Sequence, residues 1–121
     1  MDCMTIRTIL ETACWDADTS ADPANWTPEN RSYGQCAVTA LIVQDQLGGT
    51  LQRTIVDGVS HYYNRLPTGR YEDLTFDQFP HGSRYDVDSV ERERDYVLSH
   101  PATAERYELL NTRFQKALAA N

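Results

Sequence analysis

The chain has 121 residues, of which 40% are hydrophobic and 24% charged, and a formal net charge of −7. This length fits one domain around one core, and the composition is that of a globular protein rather than a disordered, collagenous or membrane one. The acidic balance argues against nucleic acid as the main partner and disfavours anionic membrane surfaces, because both need clustered Lys and Arg.

The opening Met1-Asp2-Cys3-Met4-Thr5-Ile6-Arg7 has neither the basic start nor the apolar run of a secretory signal. No segment approaches the ~18 apolar residues of a membrane span, so a cytoplasmic location is expected. Cys3, Cys14 and Cys36 are odd in number and form no CxxC pair, which predicts free thiols rather than a disulfide framework or a zinc knuckle. Nothing in the sequence calls for a cofactor.

Residues 5–14 place Ile6, Ile9, Leu10, Ala13 and Cys14 on one helix face, with Thr5 as the expected N-cap. Cys14 then reads as a buried structural thiol, and Cys3 lies ahead of the helix with no assigned role. Residues 15–33 carry neither helical nor strand periodicity and read as a long loop, of the kind that often lines a site. Trp15 and Trp26 anchor it by packing, with Trp26 as a candidate substrate contact.

Residues 36–47 are apolar around most of a helix until Gln44 and stop at Gly48-Gly49, which predicts a buried central helix. Gly34 permits a tight entry turn. Two β-favouring runs, 50–56 and 59–66, flank Asp57-Gly58 and predict a hairpin. Pro67-Thr68-Gly69 then turns the chain into a third strand over residues 70–74. After a polar stretch at 75–85, a helix is expected to start between Asp86 and Ser89, to bury Val90, Val97 and Leu98, and to break at Ser99-His100-Pro101. A last helix follows, with Pro101 in its first turn and Ala104, Tyr107, Leu110, Phe114, Ala117 and Leu118 on one face. The charged outer faces of these two helices read as solvated. The expected fold is a single α+β domain, with core residues 5–119. Its central helix packs on a small antiparallel sheet, with helices flanking at both ends.

Thiolate chemistry needs a cysteine whose pKa is lowered, and a helix N-terminus supplies the partial positive charge and free N–H groups that do this. Cys36 occupies such a place. Its own N–H is a candidate oxyanion donor, with the Gln35 or Asn30 amide as a second. A nucleophile also needs a base and a group that orients the base. If Leu66 pairs with Arg70, Tyr63 faces Asp73, and His61 shares the sheet face of Tyr63. His61 and Asp73 then become diagonal neighbours, whereas a one-residue slip would separate them. Tyr62 and Tyr63 point to opposite faces, so one can line a substrate groove while the other packs. Gln78 and Phe79 are expected to pin the loop after Asp73. His81 and His100 read as surface residues. Cys36, His61 and Asp73 could ligate zinc, but no fourth ligand is evident.

Three blocks of sequence resemble the YunG-like family of small, largely uncharacterised bacterial proteins. They are Gly34-Gln35-Cys36-Ala37-Val38-Thr39-Ala40-Leu41, Gly58-Val59-Ser60-His61-Tyr62-Tyr63-Asn64-Arg65-Leu66, and Asp73-Leu74-Thr75 with Gln78-Phe79. Arg106-Tyr107-Glu108-Leu109-Leu110 fits as well. More distantly, the Cys, His, Asp order and the helix-then-sheet layout resemble papain-like and transglutaminase-like thiol enzymes. That resemblance implies hydrolase, deamidase or acyl-transferase chemistry on a protein or peptide-like amide, isopeptide or thioester. Cys36 would attack, His61 would carry the proton, Asp73 would orient His61, and Gln35 or the Cys36 N–H would hold the oxyanion. The alternative is a catalytically inactive binding or regulatory module of the same fold.

Overall fold

A computed structural model describes residues 1–120. Helix α1 (Cys3–Ile9) continues as a π-helical turn over Leu10–Cys14, and three single 3-10 turns follow before α2 (Cys36–Leu47). Strands β1 (Thr50–Val56), β2 (Val59–Arg65) and β3 (Tyr71–Glu72) come next, then β4 (Val90–Arg92), α3 (Arg94–Leu98) and α4 (Pro101–Ala119). The four strands form one antiparallel sheet in the order β3-β2-β1-β4.

α2 is the centre of the molecule. Its six successive residues Val38 to Val43 are all buried, as expected for a helix that is apolar around its circumference. On one side Val38, Ile42 and Val43 join Ile6 of α1, Leu10 and Trp15 of the π turn and its exit, and Leu110 and Phe114 of α4. On the other, Ala40 and Leu41 pack with Leu51 of β1 and Val97 of α3. The Asn64 side chain in β2 donates to the Ala40 carbonyl at 2.9 Å, which fixes the sheet against the helix. Arg94, the first residue of α3, links it to α2 and α4, pairing with Asp45 at 2.9 Å and donating to Gln44 Oε1 and Tyr107 Oη at 3.0 Å. No helix among the described residues is long and apolar enough to cross a membrane.

The hairpin forms in the expected register, with Val56 opposite Val59, and Asp57 and Gly58 both at positive φ. Several boundaries differ from the sequence reading. The cap of α1 is Asp2, whose carboxylate accepts from Thr5 N–H at 2.8 Å, so the helix starts at Cys3 rather than after Thr5. The wider π turn rotates Ala13 out to solvent while Cys14 stays buried. No helix begins between Asp86 and Ser89. Residues 90–92 instead pair with β1 as an edge strand, and Val90 is exposed rather than buried. Three residues are too short to show a period.

Gly34, at φ +71°, ends the long loop where it turns into α2. A Cβ there would sit 2.2 Å from Ser20 Oγ and 2.9 Å from the Ala21 backbone nitrogen, whereas one at Gly58 would meet nothing within 4 Å. Gly34→Ala is therefore expected to lose more than ~2 kcal/mol in urea denaturation, against about 1 kcal/mol for Gly58→Ala, where only the left-handed backbone is penalised. Equal losses would show that the contact with residues 20 and 21 is unimportant.

Candidate functional site

The turn after β2 closes with Leu66 N–H donating to the Arg70 carbonyl at 2.8 Å, and Asn64 pairs with Glu72. This register brings Asp73 to His61, whose Nε2 lies 2.7 Å from Asp73 Oδ2. β3 stops at Glu72 because the other carboxylate oxygen of Asp73 accepts from Thr75 N–H at 3.1 Å, an Asx turn that draws the chain away from the sheet. Tyr85 Oη donates to Oδ2 at 2.8 Å. Asp73 thus receives hydrogen bonds from three directions, and the carboxylate makes His61 Nε2 the donor. The His61 ring is fully buried among aromatics. Phe79 meets it edge-on with centroids 5.0 Å apart, and Tyr63 stacks at 6.2 Å.

The segment after Asp73 is tied to the helical layer. Arg7 donates to the Leu74 carbonyl at 2.6 Å and grips Asp77 with two bonds of 2.7 and 2.9 Å. Asp77 also accepts from Ser32 Oγ at 2.7 Å. Gln78 Oε1 accepts from Gly34 N–H at 3.1 Å while its Nε2 donates to the Thr75 carbonyl at 3.0 Å. The loop that carries Asp73 is thereby held to the loop that leads into Cys36, as the pinning role expected of Gln78 requires.

Cys36 is the first residue of α2 and is half-buried. No side chain caps this terminus, which leaves the first-turn N–H groups facing the site. The Gln35 side chain is fully buried, with Nε2 donating to the Asp16 carbonyl at 3.0 Å. Asn30 donates to the Gln78 carbonyl at 3.0 Å. Each of the two amides expected as oxyanion donors keeps one N–H beyond its single bond, and of the two Gln35 adjoins Cys36 in the chain.

Burial opposes a charged imidazole at His61. The Asp73 hydrogen bond, the neighbouring Cys36 thiol and the two groups' negative charge outweigh it, and the ring's pKa is pushed up to about 9. The thiol falls short of a formed hydrogen bond, so His61 Nδ1 is buried without a partner. Two other side-chain atoms among the described residues share that condition, Gln35 Oε1 and Arg106 Nε. Gln35 precedes Cys36 in the chain, and Arg106 of α4 lies near enough for the Cys36 charge to raise its pKa against the larger lowering effect of burial. A buried polar atom left unpaired costs about 1–3 kcal/mol, so the unpartnered His61 Nδ1 marks a place where a polar group can be received.

Tyr62 and Tyr63 do face opposite ways. Tyr63 is buried beside His61 and stacks on Tyr85 with centroids 5.0 Å apart. Half-buried Tyr62 lines a cleft of about 300 Å³ at the first turn of α2, together with Ala37, Arg53, Ser60, Tyr96, Val97, His100 and Thr103; Cys36 itself is not part of its lining. Trp26 is half-buried and donates its indole N–H to the Arg31 carbonyl at 3.0 Å, within its own loop. Trp15 is buried and bonded to Thr39 Oγ1 at 3.0 Å. His81 and His100 are exposed. A larger cleft, about 900 Å³, opens on the other side of Asp73 between Tyr71, Glu72, Tyr85, Asp86 and Asp88. Among the described residues no group of three or more His, Cys, Asp or Glu side chains is placed to hold a metal ion. Tyr85 was not singled out from sequence, and Thr75 and Arg106 entered only as members of the family-resemblance blocks, with no site role. The first two lie in an aperiodic stretch, and Arg106 read as part of a solvated helix face although it is half-buried.

The described residues therefore make a small α+β protein whose central helix presents a thiol near a buried His–Asp pair. The chain belongs to the YunG family, whose model, described as YunG protein, matches residues 2–119. It is 37% identical over 93 residues to a protein of Bacillus subtilis (strain 168) entitled Uncharacterized protein YunG, covering 77% of each chain. No solved structure matches it.

The raised pKa of His61 links protonation to stability. A group whose pKa is higher in the folded protein than near 6.5 unfolded stabilises fully below 6.5, and that contribution is lost as pH rises to about 9. Urea denaturation at successive pH values should show stability falling across this window by on the order of 2–3 kcal/mol, with most of the slope removed in Asp73→Asn. A flat profile for the unmodified protein would refute the charged ring.

Proposed function

We propose that the protein is a cysteine-nucleophile enzyme acting on an amide, isopeptide or thioester, with Cys36 as nucleophile, His61 as proton carrier and Asp73 as the group that orients His61. The observation that carries this reading is the buried His61 ring, bonded through Nε2 to Asp73 at 2.7 Å and left without a partner at Nδ1 on the side of Cys36. Nδ1 is where a proton would be exchanged with the thiol. The order helix-terminal Cys, strand His, next-strand Asp is that of papain-like and transglutaminase-like enzymes, and it supports the same assignment.

In the first half-reaction the Cys36 sulfur, as thiolate, forms a bond to the carbonyl carbon while the C=O π pair moves to oxygen. The Cys36 N–H and the free Gln35 N–H are the donors available to that oxyanion. Collapse expels the amine or thiolate leaving group, which takes the proton from His61 Nδ1 and leaves a thioester on Cys36. Water or an acceptor amine then attacks, giving up its proton to His61, and the Cys36 thiolate departs. Water as acceptor gives hydrolysis or deamidation, and an amine gives acyl transfer.

A second reading, a catalytically inactive binding module, draws support from the size of the cleft beyond Asp73, which does not include Cys36. The cysteine reading is preferred because the buried His61 ring that adjoins the thiol has an unpartnered Nδ1.

Labelling with iodoacetamide followed by peptide mass spectrometry separates the two. Burial pushes the Cys14 thiol up to about 11 and raises that of Cys3, so neither competes well. Cys36 is expected to label first, and His61→Ala to slow it by on the order of tenfold or more. A Cys36 that reacts no faster than Cys14 in the folded protein would sink the enzyme reading.

A further inference from the structure

The candidate site contains a cation that the proposed chemistry does not use. Arg106 lies one turn along α4 from Thr103, which lines the 300 Å³ cleft beside Ala37 and Tyr62. It takes part in none of the ion pairs among the described residues. Its Nε is buried and unpartnered, and its Nη2 makes only a long contact of 3.4 Å with Thr103 Oγ1. The Nε–Nη2 edge of a guanidinium is one that a carboxylate takes with two parallel hydrogen bonds, and here that edge is unfilled.

We propose that Arg106 is the anion-binding residue of the Cys36 site, and that the substrate is an acyl compound carrying a carboxylate close to its reacting carbonyl. The proposal rests on the reading of Cys36 as nucleophile and narrows the substrate within it. The chemical logic is local. Arg31, Arg53, Arg65, Arg84 and Arg92 also take part in no ion pair, but among the described residues Arg106 alone of the arginines has a buried guanidinium nitrogen without a partner. That buried donor leaves it open to a group that arrives from outside. Such a group would fill the free edge of Arg106, fix the distance between its own carboxylate and the thiol, and satisfy the donor that is otherwise buried at a cost.

Two alkylating reagents of nearly the same size test this, since iodoacetate carries the carboxylate and iodoacetamide does not. With Arg106 as an anion site, the ratio of iodoacetate to iodoacetamide rates at Cys36 should exceed that of glutathione by about fivefold or more. Arg106→Gln should return the ratio to that of glutathione with the iodoacetamide rate little changed, and Arg106→Lys should keep part of the preference. A ratio equal to that of glutathione in the unsubstituted protein, or one that Arg106→Gln leaves intact, overturns the proposal without touching the nucleophile reading, which stands on the iodoacetamide rate. Should Cys36 prove inert to both reagents, that reading fails and acetate decides the anion site. In ¹⁵N-labelled Cys36→Ser protein, acetate should shift the Arg106 Nε–H resonance saturably while acetamide does not. An Arg106 signal indifferent to acetate overturns the proposal.

Discussion

The Asp73 carboxylate accepts from His61 in the sheet, from Tyr85 in the crossing segment and from Thr75 in its own turn, and the arrangement of the site follows from that convergence. Each bond does a different job. The Thr75 bond ends β3 and redirects the chain, the Tyr85 bond lays an aromatic segment over His61 and Tyr63, and the His61 bond sets the ring's tautomer. The hydrogen bond from His61 to this carboxylate, helped by the neighbouring Cys36, is what raises the pKa of a buried imidazole. Burial alone would drive that ring neutral. Its hydrogen bond to Asp73 and the neighbouring Cys36 outweigh burial and push the His61 pKa up to about 9.

Holding the carboxylate in place requires the loop that carries it to be rigid, and the rigidity comes from the helical layer. Arg7 clamps Leu74 and Asp77, and Gln78 joins the Gly34 turn to Thr75. The entry to α2 and the exit from β3 are thus one hydrogen-bonded unit, although 38 residues lie between Gly34 and Asp73 on the chain. The steric limit at Gly34 belongs to the same unit, since a side chain there would push against residues 20 and 21 and move both halves.

Much of this was legible in the sequence. The bounds of α2 follow from an apolar run closed by two glycines, the hairpin from Asp57-Gly58, and the pairing of His61 with Asp73 from counting outward across the turn at 67–69. These features are local or nearest-neighbour. What was not legible has a common cause. β4 is an edge strand of three residues defined by its partner, with no period of its own, and Val90 looked buried only because a helix was expected there. The cap at Asp2 competed with an equally suitable Thr5. Tyr85 and Arg106 reach the site across long separations, and their residue types are common on ordinary surfaces. Arg106 is one of six half-buried arginines, so neither its type nor its position on an amphipathic helix set it apart in the sequence.

The account makes His61 an imidazolium at neutral pH, with Nε2–H on Asp73 and Nδ1–H turned toward the Cys36 sulfur. Long-range ¹H–¹⁵N correlation of the His61 ring near pH 7.5 reads this state directly. Both ring nitrogens should resonate in the protonated range, with a strongly deshielded proton on Nε2. A neutral ring, with Nδ1 in the unprotonated range at that pH, would contradict it.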